Sequence, residues 1–249
     1  MAVPLVLFSG GLDSTYLLQQ LLKQSCVETL YVHGGQASAK VKMELLHRQR
    51  IIDFFNANLP FKVTGQYERL KAMSLTSNRS AWSQPAAWIL GALAVIDPDR
   101  HSALHIGYVS DDGAYFGSHL KHIERAWYEL QKISIVGDPV PLKFDLLPMR
   151  KVNILRDLDK RVLNNIWVCE IPKEEKPCGA CKACKLAKQV LAEYQEEYGE
   201  TVHTTRLKAL NRLTKLHAQA EEPISPETIN HDYYTYHIAG KSYFVDASN

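Results

Sequence analysis

The residues best suited to chemistry near the start of the chain are SGGLDS, at positions 9–14. Gly10 and Gly11 allow the backbone to turn sharply and to approach an anion without a Cβ in the way. Ser9 and Ser14 add hydroxyl donors, and a helix that starts here adds free N–H groups and the positive end of its dipole. No Gly-Lys-Ser/Thr follows, as Walker A requires, and the glycine spacing is not that of G-x-G-x-x-G. We therefore predict a phosphate-binding turn at this position.

A second group consists of four cysteines within sixteen residues, Cys169, Cys178, Cys181 and Cys184. In a reducing compartment, clustered thiols are more often metal ligands than disulfides. Four thiolates in a closed set suit tetrahedral Zn²⁺ and leave no open coordination position. An iron–sulfur cluster is the alternative, because thiolates hold those as well. Zinc is favoured, since a phosphate-binding turn predicts phosphate chemistry, which needs no redox centre.

Alternating strand and helix patterns must position these two groups. Short apolar runs predict strands at residues 2–8, 28–33, 61–67, 103–109 and 140–147. Helical patterns follow them, beginning near a cap at Asp13 or Ser14 and then covering 39–57, 86–96, 118–133 and 151–163. Strands that alternate with helices imply right-handed crossovers, so we predict an α/β fold with a doubly wound, mainly parallel sheet.

The pattern changes after the last of these helices. We predict three units: residues 1–165, a four-cysteine zinc-binding region at 166–200, and an extension at 201–249. The cysteine region is expected to contain a helix at about 184–198, which makes it a C-terminal helical zinc region. The extension is expected to contain a helix near 204–218 and a β-hairpin within 233–245.

Composition limits the classes of protein to consider. The 249 residues are 46% hydrophobic and 22% charged, which is ordinary for a globular protein. Lys plus Arg is 29 and Asp plus Glu is 27, so the formal net charge of +2 argues against a nucleic-acid partner. No apolar run approaches the roughly 20 residues of a membrane helix, and no signal-peptide pattern opens the chain. We expect a cytoplasmic protein that contacts no membrane.

The two motifs together resemble known families. SGGxDS after an N-terminal strand resembles the phosphate loop (PP-loop) of the N-type ATP pyrophosphatases, which split ATP between the α and β phosphates and adenylate a substrate oxygen. That loop, combined with the spacing C-x8-C-G-x-C-x2-C, resembles the 7-cyano-7-deazaguanine synthase (QueC) family over about residues 5–190. Gly35-Gln36 resembles part of that family's YGQ segment, and Lys151 begins a helix where the family has a lysine.

This resemblance implies an adenine nucleotide alpha hydrolase-like fold, with residues 1–165 as the PP-loop domain. It assigns nucleotide binding, with Mg²⁺ bridging the pyrophosphate, to Ser9, Gly10, Gly11, Asp13, Ser14, Gly35 and Gln36. It assigns catalytic roles to Asp13, Lys151 and Asp111, and zinc to the four cysteines. The implied activity is that of an ATP-dependent C–N ligase. It adenylates the carboxylate of a 7-carboxy-7-deazaguanine-type substrate and couples it to an amine, which is ammonia in the family, to form an amide and then a nitrile. A homodimer is expected.

Two segments depart from the family pattern. Residues 83–88, SQPAAW, replace its PGRN segment, and residues 113–119, GAYFGSH, replace its GYPDCR segment. Both segments line the nucleobase pocket in the family. Relatives in antiphage operons, including type IV CBASS, are associated with attaching a deazaguanine base to a protein, so a protein acceptor is the first alternative. A PP-loop tRNA-modifying enzyme is the second, which the near-neutral charge disfavours.

A few polar and aromatic side chains can be interpreted either as functional or as structural residues. Asp111 and Asp112 follow the predicted fourth strand and either orient the substrate or metal, or form an ordinary turn before a helix. Trp82 and Trp88 flank a Ser/Asn-rich stretch and are candidates for stacking on a purine, although an apolar helix favours a core position for Trp88.

Overall fold

The computed structural model describes residues 2–33, 38–69, 84–112, 114–135, 137–173, 175–199, 233–238 and 241–246. Five parallel strands form the main sheet in the order β3-β2-β1-β4-β5. They are β1 (Val3–Leu7), β2 (Val27–Val32), β3 (Val63–Arg69), β4 (His101–His105) and β5 (Leu142–Lys143). Every residue of β2 is buried, as expected for a central strand covered on both faces.

Among the described residues, six α-helices connect and follow these strands. They are α1 (Leu12–Leu21), α2 (Ser38–Asn58), α3 (Gln84–Leu93), α4 (Ala114–Ser134), α5 (Lys151–Asp157) and α6 (Lys182–Tyr198). One core contains side chains of α1, α2, α5 and α6, for example Tyr16, Ile52 and Tyr194. A second core contains side chains of α3 and α4, for example Ile89 and Trp127. With helices packed against both faces of a parallel sheet, the predicted doubly wound α/β fold is confirmed.

Several predicted limits differ from the structure, and three of the differences have a clear local reason. The fifth strand is two residues long rather than eight, because Pro141 supplies no N–H before it and the chain turns after it, where the Leu147 N–H donates to the Phe144 carbonyl at 3.3 Å. The helix predicted over 151–163 ends at Asp157, and a separate 3₁₀ helix covers Lys160–Asn165, whose N-cap Asp159 accepts from the Arg161 N–H at 2.9 Å. The fourth strand ends at His105 because the chain then turns across the start of α1.

The start of α1 also differs from the prediction. The N-cap is Gly11 rather than Asp13 or Ser14, and no side-chain cap is present there among the described residues. The Ser14 hydroxyl instead donates to the Gly11 carbonyl at 3.3 Å. The first turn therefore keeps its N–H groups available for an external acceptor.

The C-terminal predictions are tested only in part. The predicted hairpin is confirmed as the antiparallel strands β6 (Tyr233–Ile238) and β7 (Lys241–Asp246). The helix predicted near 204–218 lies outside the described residues. In the part of the chain that the structure describes, no helix has the length and apolar character needed to cross a bilayer.

Candidate active site

The predicted phosphate-binding turn lies where the connections of the sheet diverge. β1 has β2 on one side and β4 on the other. The helix that follows β1 packs into the first core, and α4, the helix that follows β4, packs into the second. In open parallel sheets, such a divergence leaves a crevice at the carboxyl ends of the strands, where ligands bind. Residues 9–14 occupy that position.

Glycine is required at two positions of this crevice. Gly10 has φ +79°, and a Cβ there would lie 3.1 Å from Cγ of Arg48. Gly107, just beyond β4, passes so close to the turn that a Cβ would lie 3.3 Å from the Ser14 nitrogen and from the Asp13 carbonyl carbon. The turn is thus packed against Arg48 of α2 on one side and against Gly107 on the other, which restricts the conformation of its backbone.

Hydrogen bonds hold the turn in this shape. The hydroxyls of Ser9 and Ser14 lie 3.3 Å apart, and the Gly11 N–H donates to Ser9 Oγ at 3.4 Å. The Trp167 N–H donates to the Gly10 carbonyl at 2.9 Å, which ties the turn to the segment leading into the cysteines. These contacts fix the backbone before any ligand arrives, so an anion bound there would meet a preorganised site.

A buried lysine joins the turn to the loop after β4. Lys151, the first residue of α5, is 7% exposed. Its Nζ donates to Asp13 Oδ2 at 2.6 Å and to Asp112 Oδ1 at 2.8 Å. The sequence predicted catalytic roles for Asp13 and Lys151, and the structure brings these two residues together. Asp112, which the sequence left open as a turn residue, completes the cluster.

Asp111 takes a different position from its neighbour. Its Oδ2 accepts from the backbone N–H of Lys151 at 2.5 Å, at the start of α5. In this position it orients the residue that carries the ammonium group. Gly35 and Gln36, the other predicted nucleotide-binding residues, lie outside the described residues.

The cluster places one ammonium group beside two carboxyl groups in a buried setting, and this shifts the pKa values of Asp13 and Lys151. Burial raises the pKa of Asp13 from 3.8 to about 6, although the Lys151 ammonium acts in the opposite direction. Burial also lowers the pKa of Lys151, but the two carboxylates outweigh that effect and the pKa is raised. Asp13 Oδ1 is buried and has no hydrogen-bond partner among the described residues. That oxygen is available to a metal ion or a further donor.

Two cavities meet at the turn. The larger, of about 540 Å³, is bordered by the turn, by Asp111 and Asp112, and by the aromatic side chains of Trp88 and Tyr108. The smaller, of about 270 Å³, extends toward α5 and α6 and has mostly apolar walls, among them Leu155, Ile166, Val190 and Leu191. Both have Ser9, Gly11 and Asp13 as a shared wall. The larger is in the size range of small-molecule sites.

Sequence reasoning missed a group of polar residues on the buried face of α2. Glu44, His47 and Arg48 are 8%, 5% and 1% exposed, and Glu44 borders both cavities. The Arg48 guanidinium carbon lies 4.7 Å from the centre of the Tyr31 ring. A spacing of three and four residues between polar side chains on an otherwise amphipathic helix was the available signal.

The four cysteines form one compact set. Their sulfur atoms all lie within 4.8 Å of one another. The backbone N–H groups of Cys178, Cys181 and Cys184 donate to the sulfur of the preceding cysteine at 3.2, 3.3 and 3.4 Å. A tetrahedron with Zn–S bonds of about 2.3 Å separates its sulfurs by about 3.8 Å, so the set fits a single four-coordinate ion.

The cysteine set also shapes the cavities. Cys181 is the N-cap of α6 and Cys184 lies in its first turn. The α6 side chains Ala183 and Leu186 border both cavities. A metal bound by the cysteines would therefore hold the start of α6 against the phosphate-binding turn.

Comparisons with known proteins add little to this geometry. No protein-family model matches the chain, and no curated protein matches its sequence. Among solved structures, the U34-tRNA thiolase NcsA from Methanococcus maripaludis, with its [4Fe-4S] cluster, has 13% sequence identity and a TM-score of 0.39, covering 92% of this chain and 78% of that chain. At this level of similarity neither fold nor activity follows from the alignment, so both are argued from the residues described above.

Proposed function

We propose that the chain is an ATP-dependent enzyme of the PP-loop type, which splits ATP into AMP and pyrophosphate. The observation that carries the proposal is the turn at residues 9–14, held open by Gly10 at φ +79° and placed beside the buried ammonium of Lys151. The free N–H groups at the start of α1 and this ammonium are suited to bind the phosphate charge of ATP. The same groups stabilise the charge that develops on pyrophosphate as it leaves.

Magnesium fits the same cluster. A dense phosphate charge calls for a hard cation, and hard cations prefer carboxylate oxygens. Asp13 supplies a buried Oδ1 without a hydrogen-bond partner among the described residues, and Asp112 lies on the other side of the Lys151 ammonium. When bound, Mg²⁺ neutralises phosphate charge and orients the leaving group.

We propose a 7-carboxy-7-deazaguanine-type molecule as the substrate, following the resemblance to the QueC family. A carboxylate is a poor electrophile. When its oxygen attacks the α-phosphorus of ATP, pyrophosphate leaves and the resulting acyl adenylate carries AMP as a good leaving group. An amine then displaces AMP and forms an amide. The larger cavity suits a planar base, because the Trp88 and Tyr108 side chains border it and offer aromatic surface for such a base to pack against. Trp82, the other predicted stacking residue, lies outside the described residues.

We propose Zn²⁺ as the metal of the cysteine set, in a structural role. All four sulfurs lie within 4.8 Å, which fits one ion, whereas the cysteines of a cubane cluster bind different irons and stand further apart. No position is left open for a reacting water. The zinc would stabilise the start of α6 and, through Trp167, the backbone of the phosphate-binding turn.

The amine acceptor defines a second candidate function. The smaller cavity has an apolar wall and a volume of about 270 Å³, which is far more room than ammonia requires. This favours the alternative in which the same activated carboxylate is attached to an amine of a protein, as in an antiviral conjugation system. The intact mass of co-expressed partner proteins separates the two candidates, because conjugation adds the mass of the base.

The test measures release of AMP and pyrophosphate from ATP and Mg²⁺, with and without 7-carboxy-7-deazaguanine. We expect release that depends on the carboxylate, and a loss of about 100-fold or more in Asp13→Ala, which removes a group facing the leaving pyrophosphate. The matched control is Asp53→Ala, an exposed aspartate on α2 that lies outside both cavities. Elemental analysis of the same protein is expected to find zinc and no iron. Release that Asp13→Ala leaves unchanged would contradict the assigned role of the turn.

A further inference from the structure

We infer that Glu44 is the general base that takes a proton from the ammonium group of the incoming acceptor, at the junction of the two cavities. This inference rests on the proposed function, because it concerns the second half of that reaction. Among the described residues, three carboxylate side chains border both cavities: Asp13, Glu44 and Glu170. Asp13 is bound tightly by the Lys151 ammonium at 2.6 Å, and Glu170 is exposed. Glu44 is buried, and the nearest ammonium, that of Lys40, lies further away at 3.7 Å.

The Tyr31 hydroxyl holds one oxygen of the Glu44 carboxylate, and the Lys40 ammonium pairs loosely with the other. The Tyr31 hydroxyl donates to Glu44 Oε2. Tyr31 is itself covered by the Arg48 guanidinium, so its ring cannot turn away easily. The ammonium of Lys40, which borders the smaller cavity, lies 3.7 Å from Glu44 Oε1. Oε1 therefore already accommodates an ammonium group, and an acceptor ammonium in the smaller cavity would take the place of Lys40.

The charges around Glu44 suit a base that works near neutral pH. Burial raises its pKa, although Lys40, the Tyr31 hydroxyl and Arg48 act in the opposite direction. Glu68 on β3 lies 3.8 Å from the Arg48 guanidinium and offsets part of its charge. A carboxylate with a raised pKa accepts a proton more readily than an exposed one does. Burial also raises the pKa of Tyr31, which keeps its hydroxyl protonated as a donor.

The proposed step transfers a proton from the acceptor to Glu44 and an acyl group from AMP to the acceptor nitrogen. An acceptor R–NH₃⁺ gives one proton to Glu44 Oε1, and the freed lone pair forms the C–N bond to the acyl carbon of the adenylate. The C–O bond to AMP breaks, and its electron pair stays with the phosphate oxygen. The second nitrogen proton passes to solvent as the amide forms, and Glu44 later returns its own proton to solvent. No oxidant, reductant or further reactant is needed.

The test separates the two half-reactions. Carboxylate-dependent exchange of labelled pyrophosphate into ATP reports adenylation, and amide formed with ammonium chloride or methylamine in a single turnover reports the second step. In Glu44→Gln, which keeps the acceptor oxygen for Tyr31, we expect exchange within roughly threefold of the unaltered chain and amide formation lower by about 100-fold or more. Circular dichroism checks the fold, and Tyr31→Phe is expected to give a smaller loss of about 10-fold in amide formation.

Hydroxylamine provides a readout that a structural role would not produce. It is largely unprotonated at neutral pH, so it needs no base and should react equally well with both forms of the enzyme. In Glu44→Gln, amide formation from methylamine should also rise steeply with pH as the free amine increases. The matched control is Glu175→Gln, because Glu175 also pairs with an α2 lysine, Lys42 at 2.7 Å, but lies outside both cavities.

Several results would overturn the inference. One is a rate of amide formation from ammonium that Glu44→Gln leaves unchanged. Another is a loss in Glu44→Gln that is equally large when hydroxylamine is the acceptor, or equally large in pyrophosphate exchange. An unaltered chain that exchanges pyrophosphate yet forms no amide with ammonium or methylamine would overturn it too, while leaving the proposed adenylation intact. Absence of carboxylate-dependent exchange in the unaltered chain would instead overturn the proposed function and, with it, this inference.

Discussion

Two buried charged clusters lie at opposite ends of the strands, and they differ in how completely their charges are paired. At the carboxyl ends, Asp13, Lys151 and Asp112 meet beside the larger cavity. At the amino ends, near the start of β2 and β4, Glu28 is surrounded by hydrogen-bond donors. Its Oε1 accepts from Arg100 Nε and Nη2 at 2.9 and 2.6 Å, and its Oε2 lies 2.8 Å from the Tyr67 hydroxyl and 3.0 Å from His101 Nε2.

The difference is what a structural role for the Glu28 cluster and the proposed ligand-binding role for the Asp13 cluster would each require. Both oxygens of Glu28 have partners, and Gly65 packs so closely that a Cβ there would lie 3.0 Å from Glu28 Cδ. Burial alone would raise the pKa of Glu28, but the hydrogen bonds outweigh it and hold the pKa below its ordinary value. Asp13 keeps one oxygen without a partner among the described residues, and its pKa is raised. A closed network stabilises the sheet, whereas an incomplete one beside a cavity is prepared for a ligand.

Removing the ammonium at the carboxyl ends should have the largest effect. In Lys151→Met, we expect release of pyrophosphate to fall by a factor of about 10² to 10³, because one charge that stabilises the leaving group is lost. The measurement is the initial rate of carboxylate-dependent pyrophosphate release. Lys143→Met, an exposed lysine on β5, is the matched control. Similar rates in the two variants would show that the Lys151 cluster is structural, like the Glu28 network.

Disrupting the network at the amino ends should affect stability instead. In Glu28→Gln, we expect the free energy of unfolding to fall by about 3 kcal/mol, because the buried carboxylate that accepts from Arg100, Tyr67 and His101 loses its charge. Urea unfolding measures this loss, while the activity of the folded protein should stay within roughly threefold of the unaltered chain. Glu129→Gln, which removes an exposed ion pair with Lys132, should cost less than about 1 kcal/mol. A large loss of activity in Glu28→Gln at unchanged stability would reverse the comparison.

The smallest expected effect concerns Asp13. It is the change with pH in the free energy of unfolding, measured without Mg²⁺. The folded state binds the Asp13 proton more tightly than the unfolded state does. The protonated carboxyl therefore contributes to the free energy of unfolding below about pH 4, and this contribution is lost as pH rises through about 6. Relative to Asp13→Asn, the unaltered chain should lose on the order of 2 kcal/mol of unfolding free energy over that pH range, as measured by urea unfolding at each pH. A difference that stays constant with pH would contradict the raised pKa.

The Glu28 network should show the opposite slope. Because the pKa of Glu28 is lowered in the folded state, its carboxylate contributes to the free energy of unfolding at pH above the ordinary glutamate pKa. That contribution is lost as pH falls through the pKa of the folded state. The stability difference between the unaltered chain and Glu28→Gln should therefore shrink in acid. A difference that grows in acid would show that the carboxylate is not stabilised by its donors.

Much of the site was predictable because it depends on local sequence. SGGLDS joins an apolar strand to an amphipathic helix, and the glycines in it are needed for backbone reasons that hold in any fold. The cysteine spacing likewise brings four sulfurs together over a short stretch of chain. Strand limits were less predictable, as β5 shows, because pairing there depends on which N–H groups meet a neighbour.

The amino-acid sequence by itself determined the alternation of elements, the phosphate-binding turn and the four-cysteine set, because each arises from residues close together along the chain. Only the tertiary structure decided that Lys151 meets Asp13 and Asp112, that Asp111 orients α5, and that Glu44 stands between two cavities. These partners are separated by up to 138 residues, and their contacts form when strands from distant segments align in one sheet. Long-range packing, which no local pattern encodes, sets which charges are paired and which remain open to a ligand.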